Sequence, residues 1–238
     1  MLHVPRGGGV PVADPYWSSV VLLLDASRYA AGLTPATLDI TGKAATWRGN
    51  AQCSTAQAKF GDSSLYFDGT NDRISFADSA DWAMGTGDAT WEAWIRPEGS
   101  FSGGQRFFLG QASSTGAFYS ALLRRNTSDQ FQAGVSNGTT TYEASSSALV
   151  SDTWVHVALV RAGALLYSYA AGYRTVITGG IGSTVLMDST GAMTVGGYAD
   201  EDHATNWKGW LDQVRVTKGV ARYTTETIPV PVTPFPHY

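Results

Sequence analysis

Asp200, Glu201, Asp202 and His203 stand together in the stretch GYADEDHATNW, just ahead of Trp207. Clustered carboxylates in a loop suit a hard cation, because calcium takes about six to eight oxygen ligands and a short acidic run brings several within reach. Asp200 and Asp202 are the expected calcium ligands. His203 makes no transition-metal site with them, since His3, His156 and His237 lie far off and no second histidine stands at ligand spacing. The same loop also suits a sugar, whose apolar C–H faces and hydroxyl rim call for an aromatic ring flanked by polar side chains. Trp207 with Asn206, Asp202 and His203 offers that mixture, and Tyr198, Trp82 and Tyr119 are further rings of this kind. Glycoside hydrolysis asks instead for two carboxyl groups opposed across a cleft. The stretches WEAWIR and WLDQVR carry one acid each, Glu92 and Asp212, and an enzyme would have to use these. No serine or cysteine is arranged with a histidine as an activated nucleophile, and Cys53 sits beside Ser54 in a polar turn.

Short strands must position these residues. In TWEAWIRP, Trp91, Ala93 and Ile95 alternate with Thr90, Glu92, Trp94 and Arg96, and Pro97 withdraws a ladder donor, so the strand ends there. WVHVALVR (154–161) is apolar on both faces, which predicts a central strand with His156 as a satisfied core residue. Similar stretches occur at 64–69, 72–76, 106–111, 117–124, 130–135, 164–170, 192–198 and 210–216. No long stripe of helical period interrupts them. Many short strands with glycine-rich turns predict an all-β, two-sheet antiparallel β-sandwich. Trp91, Trp94, Trp154 and Trp210 are expected to fill it, and Arg215 to pair with Asp212. Residues 1–15 contain Gly7 to Gly9 and three prolines, too little apolar periodicity for a core, and are expected to form an arm. The domain is expected to run over 16–238 and to end in a proline-rich tail at 228–238, extended against the body or a neighbour. Val4, Pro5, Val10, Phe235 and Tyr238 are the expected partner-docking residues of these two ends.

The 238 residues carry a net charge of −4, and their 16 lysines and arginines are scattered. No stripe of positive potential is available for a phosphate backbone, so nucleic acid is excluded as an expected partner. The apolar run Val20–Leu24 is too short for a membrane span or a signal-peptide core, so no membrane partner and no export signal are expected. The single cysteine, Cys53, rules out an intrachain disulfide.

Four stretches in order, KFGDSSLYFDGTNDRISF (59–76), ATWEAWIRP (89–97), DTWVHVALVRAGALLYSYAAG (152–172) and GWLDQVRVTKGVARY (209–223), resemble the concanavalin A-like, laminin G-like jelly roll over roughly residues 16–236. Glycoside hydrolases of that fold carry Glu, Asp and Glu alternating on one strand, a trio this sequence lacks, so the resemblance implies a non-enzymatic lectin-like domain. The alternatives are a carbohydrate-binding adhesion module or a glycoside hydrolase. Pentraxins share the fold, and Asp200 lies near the place of their calcium loop. Their partner loop offers an Asp-Asn pair, however, where this chain has SSTG at 113–116. The opening DPYWSSVVLLLD and the closing KGVARYTTETIPVPVTPFP resemble the domain as it occurs in structural proteins of tailed bacteriophages. That resemblance implies a virion component, decorating the head or sitting in the tail. It would be made in the host cytoplasm, associated with other virion proteins and with copies of itself, and would contact a cell-surface glycan.

Overall fold

A computed structural model describes residues 13–99, 104–112, 119–177, 179–198 and 205–238. Its strands are β1 (Val20–Leu24), β2 (Thr46–Arg48), β3 (Gln52–Ser54), β4 (Ser64–Asp68), β5 (Arg73–Phe76), β6 (Ala89–Pro97), β7 (Arg106–Ala112), β8 (Tyr119–Arg125), β9 (Gln130–Ser136), β10 (Thr141–Ala148), β11 (Val155–Ala162), β12 (Leu165–Ala170), β13 (Tyr173–Val176), β14 (Met193–Val195) and β15 (Lys208–Lys218). They form two antiparallel sheets, as the alternation predicts. The first has the order β13-β12-β11-β6-β15-β4-β3, with β1 also on β15, and the second β10-β9-β8-β7-β14-β5-β2. No helix among the described residues is long and apolar enough to cross a membrane.

The alternation read from sequence sets the interior. Trp91, Ala93 and Ile95 of β6, Val157 and Leu159 of β11, and Leu211, Val214 and Val216 of β15 point inward, against Phe108, Leu123, Phe131 and Val135 of the second sheet. β11 lies between β6 and β12, the central place its two apolar faces require. Its other face, with His156, Ala158 and Val160, is covered too, because Tyr223, Ile228 and Phe235 of the closing segment pack there. Trp94, Trp154 and Trp210 belong to that outer side rather than to the space between the sheets.

Asp14 and the closing segment are drawn into this outer layer. Asp14, expected in a loose arm, is buried, with its carboxylate on Arg215 at 3.0 Å and Arg222 at 2.7 Å. Its amide donates to the Tyr238 carbonyl at 3.0 Å. Two guanidinium groups removed from water require a carboxylate, so the folded body reaches back to Asp14. Val4, Pro5 and Val10 lie outside the described residues. Phe235, expected to dock on a partner, is buried against its own chain: its amide donates to Gln213 Oε1 at 2.9 Å, and the Arg215 guanidinium lies 3.9 Å from its ring centre. Tyr238 remains 48 % exposed.

Candidate functional site

The two acids a hydrolase would need are on the outer side of the first sheet. In a regular strand, residues three apart face opposite ways, yet Asp212 pairs with Trp94 and Arg215 with Glu92 in adjoining outward positions of β6. The extra residue is a bulge at Gln213, whose φ is +49°. The bulge keeps both side chains outward and gives them separate partners, so the expected Asp212–Arg215 pair does not form. Glu92 accepts from Arg215 Nε at 2.9 Å, from the Tyr223 hydroxyl at 2.7 Å and faces His156 Nε2 at 3.0 Å. Burial by itself would raise its carboxyl, but Arg215, then His156 and Arg222, hold it well below the usual carboxylate range. Asp212 accepts the Lys59 and Phe60 amides at 3.0 and 3.1 Å, and burial pushes its carboxyl up to about 7 despite those bonds. Both acids are committed to holding chain segments together.

Asp200, Asp202 and His203 lie outside the described residues, and so does the SSTG turn. Among the described residues no group of three or more His, Cys, Asp and Glu side chains could hold a metal ion. Asn206 and Trp207, which follow in sequence, are buried, which corrects the sugar-platform expectation for both. The Trp207 ring is wholly buried, edge-on to Phe108 at 5.2 Å, and its amide donates to the Gly196 carbonyl at 2.9 Å. Asn206 is equally buried and donates from Nδ2 to the Asp72 carbonyl at 3.1 Å. An indole next to a sandwich interior removes more apolar surface from water by turning inward than by serving a loop. Trp82 is buried as well, its Nε1 donating to the Ala77 carbonyl at 3.0 Å.

Tyr198 and Tyr119 come together, on the outer side of the second sheet. Register lays two rows of side chains there. Phe107 of β7 stands opposite Arg124 of β8, Arg124 opposite Gln132 of β9, and Gln132 opposite Ser145 of β10. In the next row, Leu122 faces Gly134, which faces Glu143. Arg124 donates from Nε to Gln132 Oε1 and from Nη2 to Glu143 Oε2, each at 2.8 Å, with its guanidinium 5.6 Å from the Phe107 ring centre. The Tyr119 hydroxyl donates to the other Glu143 oxygen, and the half-buried Tyr198 ring lies 4.7 Å from Phe107, tilted by 39°. Burial lowers the Arg124 guanidinium and raises the Glu143 carboxyl, so both ionised groups are held in a poorly solvated patch. Such a patch has no nucleophile and no opposed acids. Phe107 and Tyr119 are buried, which corrects the expectation for Tyr119, and the half-buried Tyr198 ring with the planar donor–acceptor groups is what a polyhydroxylated ring could meet.

Nothing local marks Arg124 and Glu143 as partners, because they are neighbours only through the sheet. The one available signal is Asn137–Gly138, a hairpin dipeptide that follows the strand-like QFQAGV and predicts a returning strand. The stretch TYEASSSA that returns is poor in β-branched residues, and pairing with β9 makes it a strand.

Residues 68–222, well over half of the sequence, match the family model Laminin G 3, described as the concanavalin A-like lectin/glucanases superfamily. The chain belongs to this superfamily. A search among curated proteins returned no match. Among solved structures, the binding domain of Paraclostridial Mosquitocidal Protein 1 is similar with a TM-score of 0.60 at 12% identity, over 86% of this chain and 50% of that one. Trypanosoma rangeli sialidase, in complex with a difluoro-KDN, is similar with a TM-score of 0.58 at 15% identity, over 85% of this chain and 31% of that one. Domain 4 of AbnA, a GH43 extracellular arabinanase from Geobacillus stearothermophilus in complex with arabinotriose, matches with a TM-score of 0.56 at 14% identity, over 85% of this chain and 94% of that one. This chain therefore spans half of the mosquitocidal binding domain and about a third of the sialidase. At such identities the likeness is one of fold, and the fold is shared by a binding domain and by domains of enzymes.

Proposed function

We propose that the domain is a non-catalytic saccharide-binding module whose binding surface is the Tyr198, Arg124, Gln132 and Glu143 face of the second sheet. The observation that carries this reading is the Arg124–Glu143–Gln132 network beside the half-buried Tyr198 ring, which rests on Phe107, an amphipathic surface of the kind sugars require. Commitment of Glu92 to Arg215, Tyr223 and His156 supports binding over hydrolysis, since an acid so bonded has no proton to exchange with a substrate. The arabinotriose complex of the arabinanase domain, which is similar along nearly its whole length, supports the same choice. A glycan array probed with the intact protein tests it. Wild type binds a defined set of saccharides, and Arg124→Ala or Tyr198→Ala weakens that binding at least tenfold, the effect of about 1.4 kcal/mol. Absence of any bound saccharide, or unchanged binding by both folded variants, would reject the proposal.

The setting we propose is a virion, on the resemblance of DPYWSSVVLLLD and KGVARYTTETIPVPVTPFP to phage structural domains. Antibody labelling of purified particles tests it, and a chain that never copurifies with particles would exclude it.

A further inference from the structure

The strand at one edge of the second sheet, β10, has a free side. Asn137 donates to the Thr140 carbonyl at 3.2 Å, and the register that follows sets Tyr142 opposite Val135 and Ala144 opposite Ala133. Bonded pairs alternate along an antiparallel ladder, so Tyr142 and Ala144 give their N–H and C=O groups to β9, and Thr141, Glu143 and Ser145 turn theirs away from it. No hydrogen bond among the described residues takes those outward backbone groups. Along β13, an edge of the first sheet, the closing segment does cover the backbone: Arg174 donates to the Glu226 carbonyl at 3.0 Å and Tyr173 bridges Thr227. Exposed edges are commonly blunted with lysine or proline, and TYEASSSA has neither. The ladder shifts register between Ser145 and Ala148, and there a cavity of about 180 Å³ begins, lined by Ser147, Leu149, Val150, Val155 and Ala170 and walled by Trp154. Val150 is 66 % exposed at its rim.

We infer that the β10 edge and this cavity together receive an extended, uncharged segment of a partner protein, added as a further antiparallel strand and anchored by one aromatic or large aliphatic side chain. Residues of the incoming strand opposite Thr141, Glu143 and Ser145 exchange main-chain bonds with them. The residues between turn toward the space between the sheets, because Tyr142 and Ala144 do. The next such position, past Ser145, comes to the mouth of the cavity. An apolar cavity of ~150 Å³ takes up a benzene-sized group, so a phenylalanine or leucine side chain suits this one. A charged side chain would lose its water there without gaining a partner. Main-chain bonds then supply affinity, and the cavity selects the side chain. Glu143 is the one charge on β10 and already meets Arg124 at 2.8 Å, so the edge calls for no counter-charge. A second copy of this chain is disfavoured as the occupant. Two-fold pairing about Glu143, the register that uses all three outward residues, would set two Glu143 carboxylates directly opposite each other.

The peptide acetyl-Thr-Phe-Thr-Val-Thr-Val-Thr-amide has the required alternation and brings its phenylalanine to the cavity when it runs antiparallel to β10. In NMR titrations of the intact protein it shifts the methyl signals of Leu149 and Val155. Amide hydrogen exchange slows at Thr141, Glu143 and Ser145, and is slow with or without peptide at Tyr142 and Ala144, which β9 protects. Alanine in place of the peptide's phenylalanine weakens binding at least tenfold, and so does N-methylation of the threonine between its two valines. Ala170→Leu, which fills the cavity, removes the preference for phenylalanine over alanine. Val150→Asp, at an exposed position that leaves the fold intact, weakens binding of the phenylalanine peptide. Three results overturn the inference: no peptide binding, equal affinity for the alanine peptide, or unchanged exchange at Glu143 and Ser145 in the complex. Analytical ultracentrifugation of the protein alone tests the rival occupant. A dimer in which those same amides are already slow assigns the edge to a second copy and also overturns it.

Discussion

Replacement of Glu92 by glutamine removes one charge from the outer layer of the first sheet while conserving shape. In the native protein the carboxylate meets Arg215 at 2.9 and 2.7 Å, the Tyr223 hydroxyl at 2.7 Å and His156 at 3.0 Å, and its side chain is wholly buried. Glu92→Gln leaves Arg215 and Arg222 to share Asp14 alone. Breaking a buried ion pair by removing one partner costs about 3–5 kcal/mol, because the other charge stays buried without compensation. For a chain of this size each kcal/mol moves Tm by about 2–4 °C, so Tm should fall by roughly 6–20 °C. Urea titration followed by tryptophan fluorescence reads the loss as a lower midpoint with an unchanged slope. The sign with pH follows from the lowered carboxyl. Its contribution is complete above the ordinary value of 4.5 and fades as pH falls toward the folded value, so wild type and variant converge in acid. Saccharide binding, measured well below the transition, stays intact. A Glu92→Gln protein within 1 kcal/mol of wild type that loses the release of sugar from a substrate would refute the structural role and restore the acid to catalysis.

Asp212 behaves in the opposite sense. With its carboxyl raised from 3.8 to about 7, the folded state holds an extra proton between those values, so stability declines as pH rises from about 4 to 7 and levels off beyond. Asp212→Asn should remove that decline, whose slope is at most about 1.4 kcal/mol per pH unit, and denaturation midpoints measured from pH 4.5 to 8 check it. Phe235→Ala should cost about 3–5 kcal/mol by calorimetry, since the ring is buried under Arg215 and beside Trp94. An effect below 1 kcal/mol would mean that the closing segment does not rest on the body in solution. Gly196 has φ +82°, and a methyl there would enter the Phe67 ring. Gly196→Ala should therefore lower stability by about 2–4 kcal/mol and disturb Trp207, read as a shift in its fluorescence.

The layered fold was legible because it depends on period. Trp91, Ala93 and Ile95 alternate toward the interior as their spacing predicts, Pro97 closes β6, and the apolar faces of β11 are both covered. Spacing also identified the strands that hold Glu92 and Asp212. The alternation could not reveal the bulge at Gln213, because one added residue reverses the facing of everything after it and leaves the composition unchanged. Trp207 looked available for a ligand because it follows a polar loop, yet the interior beside Phe108 takes it.

By itself the sequence determined that this chain builds a two-sheet sandwich, since residue alternation and turn chemistry act locally and are written in order. Tertiary structure alone decided that Asp14 and Phe235 close over Glu92, and that Arg124 meets Glu143 beside Tyr198 and Tyr66 meets Trp210. Those contacts join segments far apart in the chain. Their energy depends on register and burial, which arise only once the sheets have formed.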